Sequence, residues 1–348
     1  MFEIDGSQKS GSGTVLRLSV ALSAITGCPL HIFNIRYNRP KSGLKPQHLE
    51  SLLTARKLCN AELKGAKIGS KEIWFKPNKI KGANIKAEIG TAGSISALIM
   101  AVFPICLFAN NPVKLNITKG GTDVLYSPTI NFMRFIFLET LKKMGVRASI
   151  QVNSYGYYPK GMGEVTLIIN PTNFLKPIQL EQFGKVQHVE GISVSTFLKK
   201  RNVAERQAMS ATNYLKSKGY DAHIKIVYDR SNPYQKGSSI TLWAKTDTGV
   251  LVGADAIGII NKSSEEVGLE ASKKLFQELQ SNSTVDVNVS DMLIPFMAIA
   301  KGKSIFLTRV ISDHLETNIW LMENLLNSHF NINKIGNLYR ITKSDQGK

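Results

Sequence analysis

Arg36, Arg39, Lys41 and Lys45 fall in one short stretch that also holds Pro40, Gly43 and Pro46. Proline and glycine stiffen or sharply turn a chain, and an arginine on such a loop can grip two phosphate oxygens at once. A second stretch, Gly11-Ser12-Gly13 running into Thr14-Val15-Leu16-Arg17, is a Gly/Ser-rich turn entering a helix. Free backbone N–H groups at a helix start bind phosphate well, with Gly11 and Gly13 permitting close approach; the same kind of turn also serves simply to reverse a chain. Among the six histidines, His314 stands in Ser312-Asp313-His314-Leu315-Glu316-Thr317-Asn318, where a helix begins with Ser312 or Asp313 as its N-cap. Taken alone it reads as an ordinary surface or capping residue. His31, His188, His223 and His329 have no supporting motif and read as structural.

These residues need a basic setting, and the charge is unevenly placed. The chain carries 44 basic and 26 acidic side chains, a net +18. Residues 1–180 hold 23 basic and 9 acidic groups (+14), residues 181–276 hold 14 and 10 (+4), and residues 277–348 hold 7 and 7. An anion-binding face is therefore expected mainly in the first half, with nucleic acid or nucleotide as partner. A solvated lysine-rich surface is the plainer reading, and Lys76, Lys79, Lys81 and Lys86 fit it. No apolar run reaches the roughly 18 residues of a membrane span; the longest, Ile95 to Ala109, is interrupted by Pro104. Cys28, Cys59 and Cys106 lie far apart, which excludes a disulfide scaffold or a cysteine zinc site. With no signal or transit peptide after Met1, a cytoplasmic protein with no membrane contact and no obligate protein partner is expected.

The elements that position these residues repeat. Gly11 to Ile32 runs as a small-residue turn, a helix through Leu16–Ile25, a Gly-Cys-Pro break and a strand Leu30–Ile32. Gly90 to Ile117 repeats the plan, with a Gly-Thr-Ala-Gly turn, a helix Ile95–Phe108, an Asn-Asn-Pro break and a strand Val113–Ile117. Amphipathic helices follow at Gln47–Leu63 and Pro128–Met144, with apolar positions three and four apart. They lead to strands Glu72–Lys76 in the first unit, and Arg147–Val152 and Glu164–Ile169 in the second. A third copy runs from helix Met292–Ala300 through strand Ser304–Thr308 and helix His314–Asn327 to strands Asn331–Ile335 and Leu338–Ile341. Between the second and third copies, strands Val189–Phe197, His223–Tyr228 and Ser239–Ala244 with helices Val203–Ser217 and Ser264–Gln280 form an insert. The fold class is α/β in layers. Three repeated units make one large domain (residues 1–180 and 277–348), and a smaller α/β domain (181–276) lies between the second and third units.

Several motifs then stand in one order: Ile4-Asp5-Gly6-Ser7, Leu16-Arg17, Ile35-Arg36 with Arg39, Gly43-Leu44 and Gln47-His48-Leu49, Gly90-Thr91-Ala92-Gly93-Ser94, and Gly120-Gly121-Thr122. Tyr158-Pro159-Lys160-Gly161-Met162-Gly163-Glu164-Val165, Asp291 with Leu293-Ile294-Pro295, and His314 with Thr317-Asn318 complete the series. It closely resembles the RNA 3′-terminal phosphate cyclase family over nearly the whole chain. The resemblance implies that His314 attacks the α-phosphate of ATP and that AMP passes to an RNA 3′-phosphate. The neighbouring 2′-hydroxyl then closes a 2′,3′-cyclic phosphate. Covalent catalysis divides a difficult transfer into two accessible steps, and a helix start keeps the ring neutral. The resemblance further implies that Arg17, Arg36, Arg39, Gln47 and His48 contact phosphates or support the site. Asp291 would lie near the nucleotide or cap helix Met292–Ala300. Tyr158, Pro159 and Lys160 would form a turn shaping the pocket, with Lys160 a possible anion contact. ATP, a divalent metal (Mg or Mn) and RNA with a 3′-phosphate end are the implied cofactors and partner.

Some positions depart from the family pattern. Ser10 stands where the family has Glu, Thr14 and Met100 where it has Gln, Met292 where Gln is usual, and Met162 within a run of glycines. A carboxylate at position 10 would help hold a metal at the nucleotide phosphates, and serine does so only weakly or through water, so the metal ligands are left unassigned. Two alternatives accompany the cyclase reading. One is a non-catalytic cyclase-like RNA-binding protein of ribosome assembly, and the other an enolpyruvyl transferase built from similar repeats.

Overall fold

The computed structural model describes residues 1–344. Its strands fall into four sheets of four. Three share one plan. In the first, Phe2–Asp5 pairs parallel with Leu30–Phe33, which pairs antiparallel with Ile73–Lys76, itself flanked by Glu62–Lys64. The second repeats this with Asn84–Glu88, Val113–Gly120, Gly163–Asn170 and Arg147–Ser154. The third does so with Gln179–Leu180, Ser304–Thr308, Leu338–Lys343 and Phe330–Ile335. In each, the first two strands are parallel and the helix between them must cross over. The third unit takes its first strand from the chain before residue 181 and the rest from the chain after the insert.

Alternation explains the layering. Ile73 and Phe75 are buried while Trp74 and Lys76 are exposed, and Ile85 and Ala87 are buried between exposed neighbours. Such sheets have one face for a core and one for water. The buried faces rest on helices Gly13–Thr26, Pro46–Cys59, Ile95–Cys106, Val287–Ile299 and Asp313–Leu326, which also pack on one another. A sixth helix runs through Ile130–Phe132, a π-helical turn Met133–Phe137 and Leu138–Lys143. Phe137 from that turn meets Phe103 and Phe296 edge-on, with ring centroids 6.1 and 5.7 Å away, so three helices close the core on one aromatic cluster.

Several boundaries differ from the sequence reading, two of them for clear local reasons. The helix expected over Gln47–Leu63 stops at Cys59, because Asn60 takes a left-handed conformation (φ 46°) and the chain turns at once into strand Glu62–Lys64. The helix expected over Met292–Ala300 starts earlier, at Val287. Asp286 is its N-cap, its carboxylate accepting from the Val289 N–H at 2.9 Å, so Asp291 lies inside the helix and does not cap it.

The fourth sheet orders Ala222–Asp229, Val186–Thr196, Gly237–Thr246 and Leu251–Ile257. Helices Val203–Ser217 and Ser264–Ser281 pack together on it. It is fastened to the second unit by specific contacts. The Thr129 N–H donates to Asp255 Oδ2 (2.7 Å), Thr129 and Thr241 share a hydroxyl bond (2.9 Å), and Phe135 stacks on Trp243 at 4.9 Å. Gly253 lies so close to Ile136 that a Cβ there would sit 2.6 Å from Cγ1.

Candidate active site

Between the three-unit body and the fourth sheet lies a cleft of about 1930 Å³. Five helices of the three units begin on its wall. Ser12-Gly13-Thr14, Pro46-Gln47-His48, Ser94, Asp286-Val287-Asn288 and His314 all line it, each at or beside a helix N-terminus. Ser12, Ser94 and Ser312 each cap their helix with a side-chain oxygen. Converging N-termini direct partial positive charge into one space.

His314 is the second residue of helix Asp313–Leu326. Partial desolvation and the charges of Arg17 and Arg39 lower its pKa below the usual imidazole value, with Asp313 opposing, so the ring is neutral at pH 7. Among the described residues nothing hydrogen-bonds either ring nitrogen. The helix itself is held firmly. Ser312 Oγ donates to Asp291 Oδ1 (2.5 Å), and Asn318 Nδ2 donates to the Asp291 carbonyl (2.6 Å). Thr317 Oγ1 accepts from the Ser10 N–H at 3.1 Å, joining the third unit to the turn of the first. Asp291, pushed up to about 7 by burial, thus orients the His314 helix.

Ser10 is a joint. Besides its bond to Thr317, its carbonyl accepts from Arg39 Nη2 (2.9 Å) and its hydroxyl meets Ser12 Oγ (3.0 Å). Arg36 donates to the carbonyls of Lys41 (2.7 Å) and Gly43 (2.9 Å) and so shapes the loop that carries Arg39. Arg17 donates only to Thr14 Oγ1 (3.1 Å), and desolvation lowers its pKa to about 10, which leaves it charged. Among the described residues no carboxylate pairs with Arg17, Arg36, Arg39 or Lys45. A desolvated cation without an anion is costly unless a ligand supplies one.

His48 is 4% exposed, with its pKa lowered to about 3 by burial and by Arg17, Arg36 and Lys45. Its Nδ1 accepts from the Lys45 N–H (3.2 Å), which fixes the tautomer with hydrogen on Nε2. That ring explains Gly13: a Cβ at position 13 would lie 2.3 Å from His48 Nε2 and 3.1 Å from Arg17 Nη1. Gln47 Oε1 accepts from the Ser94 N–H (2.8 Å), tying the first unit to the turn of the second.

The cleft therefore gathers Gly13, Arg17, Arg36, Arg39, Gln47, His48, Tyr158, Pro159, Asp291 and His314. Gly11 and Lys160 do not line it, and the Gly11 N–H is already used on the Gln8 carbonyl (2.9 Å). Met100 and Met292 lie on its wall with Pro104, Pro295 and Phe296, an apolar strip beside the cationic end. Thr317 and Asn318 received no role from the sequence, although spacings of three and four from His314 place them near it on the helix. Gln47 as an inter-unit clasp had no local signal. Among the described residues no three His, Cys, Asp or Glu side chains come together to hold a metal ion. With the Ser10 hydroxyl on Ser12, the residues present do not fit a protein-held metal. No helix is long and apolar enough to cross a membrane among the described residues.

A family model described as RNA 3′-terminal phosphate cyclase matches residues 8–332. The chain belongs to the RNA 3′-terminal phosphate cyclase family. Among its relatives of that name, the protein of Pyrobaculum aerophilum is 40% identical over 338 residues, 97% of this chain and 96% of its own. That of Pyrococcus furiosus is 41% identical over 332 residues, 95% of each, and that of Methanopyrus kandleri 40% identical over 330 residues, 94% of this chain and 93% of its own. A solved EPSP synthase from Acinetobacter baumannii aligns over 99% of this chain and 65% of its own at 11% identity, with a TM-score of 0.25. In this member of the cyclase family His314 lies in the cleft with Arg17 and Arg39, and Ser10 joins the first unit to the third.

Proposed function

We propose that this chain is an ATP-dependent RNA 3′-terminal phosphate cyclase with His314 as its nucleophile. The observation that carries the reading is His314 at a helix start in one cleft with Arg17 and Arg39, cations that have no carboxylate of their own among the described residues. A ring nitrogen of His314 attacks the α-phosphorus of ATP. The P–N bond forms as the bond to pyrophosphate breaks, and pyrophosphate leaves with the electron pair. Arg17, Arg39 and the converging helix N-termini meet the charge that develops on the phosphoryl oxygens, the term that lowers such barriers most. The apolar strip of Met100, Pro104, Met292 and Pro295 suits the flat base of the nucleotide. An oxygen of the RNA 3′-phosphate then attacks the same phosphorus and breaks the P–N bond. Finally the 2′-hydroxyl oxygen attacks the 3′-phosphorus, loses its proton and displaces AMP. Any divalent ion would arrive on the nucleotide's own phosphates.

The test is incubation with ATP labelled at the α-phosphate and Mg²⁺ or Mn²⁺, without RNA. Acid-labile label on the protein, absent from His314→Ala and discharged by RNA with a 3′-phosphate end, is the expected result. Because desolvation and the charges of Arg17 and Arg39 lower the folded pKa of His314, the ring gains its proton at a lower pH than an ordinary histidine. The labelling rate should therefore decline at a lower pH than an ordinary imidazole would give. No label on a folded wild-type protein would overturn the reading and leave an RNA-binding protein without adenylylation.

A further inference from the structure

The Tyr158-Pro159-Lys160 turn is not absorbed by the chemistry above, since Tyr158 is 79% exposed and Lys160 lies outside the cleft. Its neighbour Tyr157 is buried and gathers three surface segments. The Tyr157 hydroxyl bonds Thr196 Oγ1 (3.1 Å), and Thr196 leads directly into Phe197 to Arg201. A Cβ on Gly237 would lie 2.1 Å from the Tyr157 ring, so only glycine lets the segment Tyr234 to Lys236 approach this closely. Asn232 completes the junction, its Nδ2 donating to the carbonyls of Tyr155 (2.7 Å) and Gly161 (3.0 Å).

What these segments present is unusual for a surface that only packs. Tyr234 is 61% exposed and Phe197 43%. Phe197 has φ +54°, a left-handed region that a bulky side chain enters only at a backbone cost. Lys200, Arg201 and Lys236 are exposed, and none is in an ion pair among the described residues. The nearby carboxylate, Asp229, is occupied: Oδ2 accepts from Thr196 Oγ1 (2.8 Å) and Oδ1 from the Ser231 N–H (3.1 Å). Tyr158, Arg201 and Lys236 line the cleft that holds His314, whereas Phe197, Lys200 and Tyr234 lie beyond it. The rim therefore continues outward from the reaction site.

We propose that the RNA strand leading to the 3′ end runs along this rim, with Tyr158, Phe197 and Tyr234 as stacking faces and Lys200, Arg201 and Lys236 on successive backbone phosphates. Separated aromatic rings interleaved with unpaired cations suit a single strand, whose bases stack and whose backbone is anionic, without sequence preference. The rim rests on the reading of RNA as the acceptor.

Binding is measured by fluorescence anisotropy without ATP, using a trinucleotide and a dodecamer of RNA, each ending in a 3′-phosphate, over a range of salt. The dodecamer should bind about tenfold or more tightly than the trinucleotide, with a steeper salt dependence. Lys200→Ala combined with Lys236→Ala should flatten the dodecamer's log–log salt slope by about 1.4, at about 0.7 per lost contact. Tyr234→Ala should weaken the dodecamer about fivefold or more and leave the trinucleotide unchanged. Unfolding midpoints of the variants check that they fold. Equal affinity for the two lengths, or an unchanged slope in the double variant, would overturn the proposal and leave the rim to a protein partner. Length-dependent binding without protein-bound AMP would sink the adenylylation reading and leave the rim standing; AMP on His314 with no length dependence would do the reverse.

Discussion

The two ends of the cleft gather opposite charges and treat them differently. At one end Arg17, Arg36 and Arg39 stand without a carboxylate. At the other, where the fourth sheet meets the body, carboxylates are withdrawn from water. Asp123 rises to about 7 and Asp286 to about 8, chiefly by burial, and Asp255 and Glu278 are raised for the same reason. Among the described residues Glu278 alone of the four makes an ion pair, with Arg309 at 2.8 Å, while Lys274 acts on Asp255 from further away. A carboxyl can take up a proton and sit neutral in a seam, as hydrogen-bond partner to Thr122, Thr129 and Gly253. Arginine cannot shed its proton in this way, so its charge persists until an anion arrives. The carboxyl end is built to fasten and the arginine end to bind.

That contrast can be broken from either side. The largest effect is expected for Arg17→Met, which keeps length and removes charge. Adenylylation should slow at least about 100-fold, roughly 3 kcal/mol, while the urea midpoint stays level or rises because a desolvated charge is gone. A large loss of stability would mean that Arg17 is structural after all. Gly13→Ala should come next. Its methyl would press on His48 and Arg17, so about 1–3 kcal/mol of stability should be lost together with ATP binding, as seen by thermal unfolding with and without nucleotide.

The smallest effect lies in the seam. The folded Asp123 carboxyl holds its proton up to about pH 7, whereas the unfolded one releases it near the ordinary aspartate value. Unfolding then releases a proton between those values, so this group's contribution falls as pH rises through that window. Asp123→Asn should flatten the decline of the unfolding midpoint from about pH 4 to 7 and be more stable than wild type at the upper end, on the order of 1–2 kcal/mol. Parallel curves for the two proteins would remove the raised carboxyl from the account.

Much of this arrangement could be read from residues, where local physics decides. Strand Ser304–Thr308 and helix Val203–Ser217 stand as expected, and Ser312 caps the His314 helix because a serine before a helical run satisfies a free N–H. Glu62–Lys64 is too brief for alternation to show, and Asn84–Glu88 does alternate but goes unread among the surface lysines around it. Leu251–Ile257 escaped because its buried run, with Gly253 inside it, does not alternate. In the site, charge and turn chemistry pointed to Arg36 and Arg39, whereas Arg17 stands out only through the family resemblance. The long-range partners Thr317 to Ser10 and Gln47 to Ser94 left no trace, since such pairs follow from packing and not from any spacing along the chain. Gly13 was read as an open amide, yet its lack of a side chain is what admits the His48 ring.

The bond between Ser10 and Thr317 spans 307 positions of sequence, and the third sheet pairs Gln179–Leu180 with a strand beginning at Ser304. During synthesis the first two units and the whole fourth sheet leave the ribosome before the segment that carries His314. The anion pocket therefore waits, open-sided, until a late helix docks against the first residues made. Domains generally fold as they emerge, and contacts this distant close slowly. A chain stopped before that helix has Arg17, Arg36 and Arg39 on the cleft wall but lacks His314.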